Sequence, residues 1–565
     1  MIGSLRAAGS PAQPGQLPGP AGAAGFPGGQ APVGVTAPRY LPDWTLVVPT
    51  AVTLAVTLWG VTARPYWGDE VDTVSAVSRS LPQLARLLGH TDAVHGLYYL
   101  LLWPVARVAG TGELALRLPS VAAMAAAAFG VAVIGRTLRS ARAGVCAGLV
   151  FAALPIVTQQ AHDARPYAMV TAAAVLASYL LLRAVADPRP ARWAGYGLAL
   201  VLVGYLELLA LVLVAAHAVT LAVLSWQQSP PARGWAGPGG AGGAPRRRLA
   251  GRWLAGRWLV TATATAAAAA PVVFWGWRQR GEIGWIRQPG WPDLRYLACW
   301  LAAGSATSAV LVGALAVLGA RRRDSPGRAG QPAHTGPRRP LRALTPSLSV
   351  SAPGRTARAL TWLALPWLVV PPLALIAVSQ ITPVYSFRYV VFCLPAVALL
   401  AGAGLAALGW VWRAAALALL AVLATPAQLA LRAPGSGAGG GLQAAAGVLA
   451  AHERPGDAVV YPGPAIPPWD LAYPRAFQPL RNIGLSQPGA TSGRLYASSV
   501  PVPVLIRRER GVSRIWVIEM GPPWQNPGPY LAPSFRLTRT WQPHHGQAKL
   551  ALYQRGLDAA RVPAR

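Results

Sequence analysis

Long runs of apolar residues recur along most of the chain and alternate with shorter stretches rich in glycine, proline and arginine. Each run has about the length of an α-helix that crosses a hydrocarbon core of about 30 Å. The pattern therefore predicts a polytopic α-helical membrane protein with about eleven transmembrane helices. We expect these helices at 44–62, 116–136, 142–158, 167–184, 193–226 (two helices), 258–277, 296–319, 360–379, 388–409 and 412–431.

Two runs need a separate interpretation. The run 193–226 is about twice the length of one span, and because both its ends are basic we expect two helices that meet near Glu207. The run from His95 to Ala109 is short and contains Pro104. We predict that it lies in the membrane interface, where aromatic side chains are favoured. If it crossed the membrane, the arginine-rich turn 136–142 would lie on the extracytoplasmic side, whereas arginine-rich loops usually lie in the cytoplasm.

The formal net charge of +32 is carried largely by arginines between the apolar runs. Cytoplasmic loops of membrane proteins carry such an excess. We therefore predict a multi-pass protein of the cell membrane with a disordered cytoplasmic tail at 1–40, a transmembrane domain at 41–431 and basic cytoplasmic loops at 227–257 and 320–358. The mildly basic loop 278–295 would lie on the extracytoplasmic side in this arrangement, which departs from the preference of basic loops for the cytoplasm. Nucleic acid is not an expected partner, since the charge is spread over loops.

The C-terminal part of the chain has a different pattern. A glycine-rich stretch leads into a helix predicted at Leu442–His452, and strands are predicted at 458–461, 514–519 and 549–553. We interpret residues 442–565 as a small α/β domain on the extracytoplasmic side of the membrane.

Carboxylates are scarce, and three of them stand together after the first apolar run. Of 565 residues only 18 are aspartate or glutamate and 12% are charged, whereas soluble domains contain about 25% charged residues. Asp69, Glu70 and Asp72 lie within four residues of one another. A carboxylate here can deprotonate an acceptor hydroxyl. The alternative is a solvated acidic loop or a helix start that favours acids.

A second cluster follows the third apolar run. His162, Asp163 and Arg165 place an imidazole, an acid and a guanidinium at one predicted interface, next to Tyr167. The arginine suits bidentate contact with a phosphate. The alternative is a capped interfacial turn in which the arginine only anchors the helix.

A third cluster lies in the loop between the spans at 360–379 and 388–409. This loop contains Tyr385 and Arg388, and Glu207 lies at the predicted turn between two other helices. An arginine at an interface is often only an anchor, and a carboxylate at a turn can stay in water, although charges near lipid often mark functional sites. His95 opens its run, and a role at the helix start is its simplest interpretation. All three clusters fall on one predicted face, which favours a shared site.

At these residues the sequence resembles the GT-C superfamily of membrane glycosyltransferases. The resemblance is to bacterial proteins related to protein O-mannosyltransferases and to the lipid A aminoarabinose transferase. Short matching motifs are spread over 45–431. They are Trp67-Gly-Asp69-Glu70, Val94-His95-Gly-Leu-Tyr98-Tyr99, Leu116-Arg117-Leu-Pro119-Ser120, Ala164-Arg165-Pro166-Tyr167 and Phe387-Arg388-Tyr389.

The resemblance implies transfer of a sugar, mannose or another hexose or pentose, from a polyprenyl-phosphate donor with inversion. The acceptor would be an extracytoplasmic protein or glycolipid. It implies that Asp69 is the catalytic base with Glu70 beside it, and that Arg165 and Arg388 bind the donor phosphate. The supporting residues are Asp163, His162, His95, Tyr167, Glu207 and Tyr385.

Two positions depart from the family pattern as it is commonly seen. His162-Asp163 stands where many relatives carry Gln-Glu, and Glu207 stands where a histidine is expected. The sequence contains no metal-ligand spacing and no phosphate-binding glycine loop, so no cofactor is expected; a divalent metal ion stays an open alternative that the sequence does not indicate. The alternatives are a transporter or flippase for lipid-linked precursors and a non-catalytic scaffold, but transporters usually show repeats and ionisable groups at the membrane midplane.

Overall fold

The computed structural model describes residues 43–227, 243–301, 305–321, 353–433, 439–520, 531–543 and 548–556. The predicted tail at 1–40 lies outside the described residues. So do residues 228–242 and 322–352, which belong to the two predicted basic loops.

Helices account for most of the described residues before 433. They are α1 (Trp44–Leu58), α2 (Gly68–Val77), α3 (Leu81–Leu88), α4 (Gly96–Ala109), α5 (Glu113–Leu138), α6 (Ala141–Ala153), α7 (Pro155–Ala161), α8 (Tyr167–Ala186), α9 (Pro190–Leu206), α10 (Leu213–Gln227), α11 (Gly243–Arg278), α12 (Trp291–Leu301), α13 (Ala306–Arg321), α14 (Pro353–Ser379), α15 (Leu394–Ala406) and α16 (Trp410–Ala430). Short 3₁₀ segments lie at Ala93–His95, Leu208–Val212, Arg280–Ile283 and Phe387–Cys393.

The polytopic helical fold is confirmed, whereas the number of spans is not. Seven described helices are long and apolar enough to cross a membrane, or eight if α6 and α7, bent by 66°, form one broken span. The bend coincides with Pro155, whose ring removes a backbone donor and disfavours a continuous helix. Helices α1, α9 and α13 match further predicted spans but have only 15, 17 and 16 residues. The expected count of about eleven stays a prediction.

Two predicted spans show how local sequence sets the helix ends. The run 193–226 is two helices, as predicted: α9 ends before Glu207, whose carboxylate accepts a hydrogen bond from the Leu209 amide at 3.3 Å. The run 296–319 is not one helix, contrary to the prediction, because α12 ends at 301 and α13 begins at 306. The Ser305 hydroxyl accepts a hydrogen bond from the Ser308 amide at 3.2 Å and so caps α13.

Small residues allow the central membrane helices to pack closely. A side chain at Gly404 of α15 would collide with the Leu315 carbonyl of α13, and one at Gly402 would collide with the Ala147 backbone of α6. Helices in lipid associate through such close backbone contacts rather than through a hydrophobic driving force. Helix α15 is therefore enclosed, and 89% of its span, which begins at Phe387, is buried within the protein.

The C-terminal part is a small α/β unit, as predicted. Its helices are α17 (Gly440–His452), α18 (Trp469–Ala472), α19 (Pro474–Phe477), α20 (Gly489–Ser492) and α21 (Val502–Arg508). Its strands are β1 (Ala458–Val460), β2 (Ala465–Ile466), β3 (Arg481–Asn482), β4 (Leu485–Gln487), β5 (Ala497–Ser499), β6 (Arg514–Met520), β7 (Phe535–Trp541) and β8 (Ala548–Arg555).

Two sheets organise this unit. The larger has the strand order β3-β1-β6-β8-β7, in which β1 pairs in parallel with β3 and β6 while β8 is antiparallel to β6 and β7. The smaller is antiparallel with the order β2-β5-β4. Strand β5 of the smaller sheet borders the cavity described next.

Candidate active site

A cavity of about 970 Å³ lies between the loops of the helical part and the small sheet of the C-terminal unit. Its walls come from the start of α2, the segment before α4, the turns before α8 and after α9, the loop after α11 and the segment before α15. Its polar and aromatic lining residues include Asp69, Asp72, His90, Asp92, His95, Arg165, Tyr167, Glu207, Gln279, Arg280, Glu282, Trp285, Arg388, Tyr389, Arg494, Tyr496 and Ser498.

The Asp69 carboxylate reaches this cavity from the first turn of α2. Gly68 begins the helix, and an acid in the first turn is favoured by the positive end of the helix dipole. Arg388 Nη1 donates to Asp69 Oδ2 at 2.7 Å, and the two side chains are 21% and 33% exposed respectively. The Arg388 guanidinium also lies 5.2 Å from the Trp67 ring centre and 5.4 Å from that of Trp285. The carboxylate is thus oriented by an arginine while still open to the cavity.

Arg165 is buried beside Asp69. Its Nη1 donates to the Asp69 carbonyl at 3.3 Å, and its Nη2 lies 3.4 Å from His95 Nε2. The buried Nε has no hydrogen-bond partner among the described residues. A buried donor without a partner is costly, so this cavity residue has hydrogen-bonding capacity that an anionic ligand can satisfy.

His95 connects Arg165 to a further carboxylate, Asp92. An arginine only donates hydrogen bonds, so His95 Nε2 accepts and its proton is on Nδ1. That nitrogen lies 3.1 Å from Asp92 Oδ1, and the Tyr99 hydroxyl donates to Asp92 Oδ2 at 2.7 Å. Asp92 has a left-handed backbone with φ of 60°. Its amide donates to both carboxylate oxygens of Glu282 at 3.1 and 3.2 Å, which ties this segment to the loop after α11.

Glu207 and two tyrosines form another wall. Glu207 is 6% exposed, and burial raises its pKa, while the positive charges of Arg165 and Arg388 oppose that rise. The Tyr167 and Tyr389 rings lie 6.4 Å apart.

Asp72 is a cavity residue that was not among the predicted site residues, although it belongs to the predicted acidic motif. It lies one turn after Asp69 on α2 and forms a hydrogen bond with Tyr496, just before β5. Burial raises the pKa of Asp72 to about 7, and Arg165 only partly offsets the effect. The contact joins the first loop to the C-terminal unit.

Glu70 lies behind the cavity and is not among its lining residues. Arg117 Nε donates to Glu70 Oε1 at 2.8 Å and Arg117 Nη2 donates to Oε2 at 2.7 Å. Glu70 Oε1 also accepts from the Ala164 amide at 2.9 Å. Both charged side chains are at most 1% exposed. Glu70 therefore joins α2, α5 and the turn before α8.

The other predicted supporting residues also lie away from the cavity. Trp67 Nε1 donates to Asp163 Oδ1 at 3.0 Å, and burial together with Glu70 raises the pKa of Asp163 to about 7. His162 Nε2 donates to the Thr57 carbonyl at 2.8 Å, and burial lowers its pKa to about 4. Tyr385 lies in the loop after α14 but does not line the cavity.

The structure thus gathers some predicted site residues and separates others. Those lining the cavity are Asp69, Arg165, Arg388, His95, Tyr167 and Glu207, and those outside it are Glu70, Asp163, His162 and Tyr385. Sequence reasoning left Asp92 and Arg117 out of the predicted site. Arg117 stands in one of the motifs quoted for the resemblance and inside a predicted span, where a charge is a usable signal, whereas no motif marked Asp92.

Metal coordination was not expected from the sequence. Within the described ranges, no group of three or more histidine, cysteine, aspartate or glutamate side chains is arranged to hold a metal ion.

Comparisons with known proteins show what the fold is similar to. A family model described as dolichyl-phosphate-mannose-protein mannosyltransferase matches residues 96–232. No curated protein matches the sequence. ArnT from Cupriavidus metallidurans is similar in its undecaprenyl phosphate-bound and apo structures, with TM-scores of 0.51 and 0.52, 14% sequence identity and coverage of 90% of this chain and 97% of ArnT.

A further solved structure is more distant. The apo oligosaccharyltransferase from Archaeoglobus fulgidus has a TM-score of 0.38 and 13% identity, covering 85% of this chain and 70% of that one. The similarity to ArnT is one of fold.

Proposed function

Because this chain has the fold of the GT-C superfamily of membrane glycosyltransferases, as its motifs indicated, we propose that it transfers a sugar from a polyprenyl-phosphate donor to an acceptor. The observation that supports this most is the meeting of a partly exposed carboxylate, Asp69, with Arg165 and Arg388 in one cavity. This reaction needs one carboxylate to accept a proton and positively charged groups to hold a phosphate, and the two guanidinium groups can do the latter.

Asp69 is the general base in this proposal. It accepts the proton of an acceptor hydroxyl as that oxygen forms a bond to the anomeric carbon of the donor sugar. The bond between that carbon and the phosphate oxygen breaks, and its electron pair leaves with the polyprenyl phosphate. Attack from the side opposite the leaving group gives inversion. The negative charge on the departing phosphate is stabilised by Arg165 and Arg388.

The ion pair between Asp69 and Arg388 has a role in this scheme. Arg388 donates a hydrogen bond to the Asp69 carboxylate at 2.7 Å. A donor phosphate competes for the same guanidinium, and a charge-assisted bond to phosphate is strong. Binding of the donor therefore releases Asp69 from its partner and makes it a better base for the acceptor.

Glu70, Asp163 and His95 act as positioning residues in the proposal. Glu70 holds the backbone at Ala164, next to Arg165, and also joins the helix that carries Asp69. His95 lies between Arg165 and Asp92, so it fixes the orientation of the guanidinium. Neither Glu70 nor Asp163 lines the cavity, which favours a structural role over contact with the substrate.

The donor sugar and the side of the membrane are also proposed. The name of the matching family model favours mannose, although another hexose or pentose would suit the same phosphate site. We place the cavity and the C-terminal unit on the extracytoplasmic side and the N-terminus in the cytoplasm, because the arginine-rich stretches then lie inside. The acceptor is a protein or a glycolipid.

Transfer of radiolabelled mannose from polyprenyl-phosphate-mannose, measured in membranes that contain the protein, tests the proposal. Asp69→Asn is expected to abolish label transfer to lipid or protein acceptors. Asp187→Asn is the matched control, because Asp187 pairs with Arg189 and Arg192 in the turn after α8 and does not line the cavity. Equal transfer by Asp69→Asn and wild type would remove Asp69 from the mechanism. Absence of transfer with mannose and with other polyprenyl-phosphate sugars would refute the function.

A further inference from the structure

A second cavity, of about 410 Å³, lies on the other side of the segment that leads into β5. We name it the side cavity. Leu495 and Ala497 border both cavities. One wall of the side cavity is formed by Ser75, Ser78 and the following residues of α2 and α3, and the opposite wall belongs to the C-terminal unit. We propose that the side cavity binds a neutral, hydroxyl-rich sugar unit of the acceptor; this inference rests on the proposed function.

The charge of the side cavity excludes a phosphate ligand. Among the described residues that line it, the one cation is Arg79, which is 3% exposed. Its guanidinium already donates to the carbonyls of Gly489 at 3.0 Å and of Arg494 at 2.7 Å, and to Ser75 at 3.3 Å. This arginine holds the C-terminal unit against α2 and offers no free fork to an anion. The larger cavity, in contrast, is lined by Arg165 and Arg388, which can bind an anion.

The polar groups of the side cavity call for a ligand that donates hydrogen bonds. Asn482 Oδ1 is buried and has no hydrogen-bond partner among the described residues. Asp470 adds a carboxylate and Gln478 an amide. A buried acceptor without a partner costs about 1–3 kcal/mol, so such a group is a candidate for contact with a ligand. Hydroxyl groups supply the missing donors.

Aromatic rings supply an apolar surface beside these acceptors. Tyr461 and Phe477 line the side cavity. Trp469 packs between them, with its ring centre 5.3 Å from that of Tyr461 and 6.2 Å from that of Phe477. A pocket that combines apolar rings with a few fixed polar groups suits a ligand with one apolar face and a hydroxyl-bearing edge. A sugar ring has this character.

The placement relative to Asp69 fits an acceptor rather than a donor. Ser75 follows Asp69 by six residues on α2, which corresponds to about 9 Å along the helix axis. Helix α2 therefore carries residues of both cavities, and Leu495 and Ala497 form a wall common to both, so an oligosaccharide in the side cavity lies next to the cavity that holds Asp69. An extended peptide is disfavoured at the shared wall, because β5 is paired on both edges, with β2 and β4, and has no open edge for strand addition.

Binding to the purified full-length protein in detergent tests this inference. The probes are mannotriose, maltotriose and cellotriose, titrated by calorimetry up to about 10 mM, since a dissociation constant near 1 mM corresponds to only about 4 kcal/mol. At least one trisaccharide is expected to bind saturably. Inorganic phosphate is not expected to compete with it.

Two variants separate ligand binding from folding. Asn482→Leu removes a buried acceptor that lacks a partner, so the melting temperature is expected to stay unchanged or rise while trisaccharide binding weakens about ten-fold. A structural role would instead lower the melting temperature. Gln478→Ala, in the side cavity, is expected to weaken binding, whereas Gln487→Ala, equally exposed on β4 but outside the cavity, is not.

The outcomes distinguish this inference from the proposed function. In transfer assays, Asn482→Leu is expected to raise the KM for a glycan acceptor about ten-fold and leave kcat and the donor KM unchanged. If the protein transfers sugar but binds no trisaccharide, the proposed role of the side cavity is wrong and the enzyme assignment stands. The same holds if Asn482→Leu leaves the KM for the acceptor unchanged. If a trisaccharide binds but no polyprenyl-phosphate sugar is transferred, sugar binding in the side cavity stands, whereas the acceptor role and the enzyme assignment are both overturned. If the protein transfers sugar to a peptide and Asn482→Leu raises the KM for that peptide, the side cavity binds peptide and its assignment to a sugar is wrong.

Discussion

Replacement of Glu70 by glutamine should damage folding before it damages chemistry. The side chain is 1% exposed and accepts two hydrogen bonds from Arg117, which is itself fully buried. The glutamine keeps the shape but removes the charge, so the buried guanidinium loses the carboxylate that pairs with it. Breaking a buried pair on one side costs about 3–5 kcal/mol. Because proteins are stable by only about 5–15 kcal/mol, Glu70→Gln is expected to melt at a clearly lower temperature.

The companion variants make this reasoning quantitative. Arg117 also donates to the carbonyls of Val61 at 2.9 Å and Arg64 at 2.7 Å. In Glu70→Gln/Arg117→Gln both charges are absent, and one amide can still reach a carbonyl. The double variant is therefore expected to recover part of the lost stability, as a double-mutant cycle would show. Asp187→Asn removes a partly exposed carboxylate outside this network; it is the control and should melt like the wild type.

The assay is thermal unfolding of detergent-purified protein, followed by size-exclusion chromatography of the surviving fraction, with mannose transfer measured on the same samples. Glu70→Gln should lose stability and keep part of the transfer activity per folded molecule. A variant that melts like the wild type and transfers nothing would refute the positioning role. It would make Glu70 a participant in the chemistry.

Three further outcomes are expected. Arg388→Lys should raise the donor KM at least several-fold in the transfer assay, because lysine cannot form the bidentate contact; an unchanged KM would contradict the phosphate role. The pKa of Asp72 is raised from 3.8 to about 7 on folding, so the folded state binds the extra proton and its stability falls as pH rises through this window. Asp72→Asn should lack that loss in pH-dependent melting, and parallel pH profiles would contradict it. Gly319→Ala should reduce the yield of monodisperse protein, because the added carbon would collide with the Leu400 carbonyl. Gly313→Ala on the same helix places its carbon in open space and should leave the yield unchanged. Equal yields of the two variants would contradict the packing argument.

The helical architecture could be predicted from the sequence because it depends on local composition. Each predicted span carries a helix, and the turn at Glu207 was expected from the length of its run. The break before α13 and the bend at Pro155 were not predicted. The first coincides with the Ser305 cap and the second with a proline, and a hydrophobicity pattern records neither.

The candidate site was partly predictable for a different reason. Asp69 and Arg388 are 319 residues apart and still form an ion pair, and both were singled out as charges beside apolar runs. The position of a charge beside an apolar run did not distinguish Asp69 from Glu70. The two are neighbours on α2, and their side chains leave the helix in different directions. The contribution of Tyr496 was missed because β5 has three residues and no recognisable motif.

The enclosed position of α15 has a consequence for biogenesis. This helix is made after α5, α6, α8 and α13, yet in the finished protein it contacts α5, α6, α8 and α13 from within. The earlier helices therefore cannot settle into their final arrangement when they leave the insertion machinery. They must remain loosely associated until α15 arrives, and a chain interrupted before Leu394 would lack the element around which they assemble.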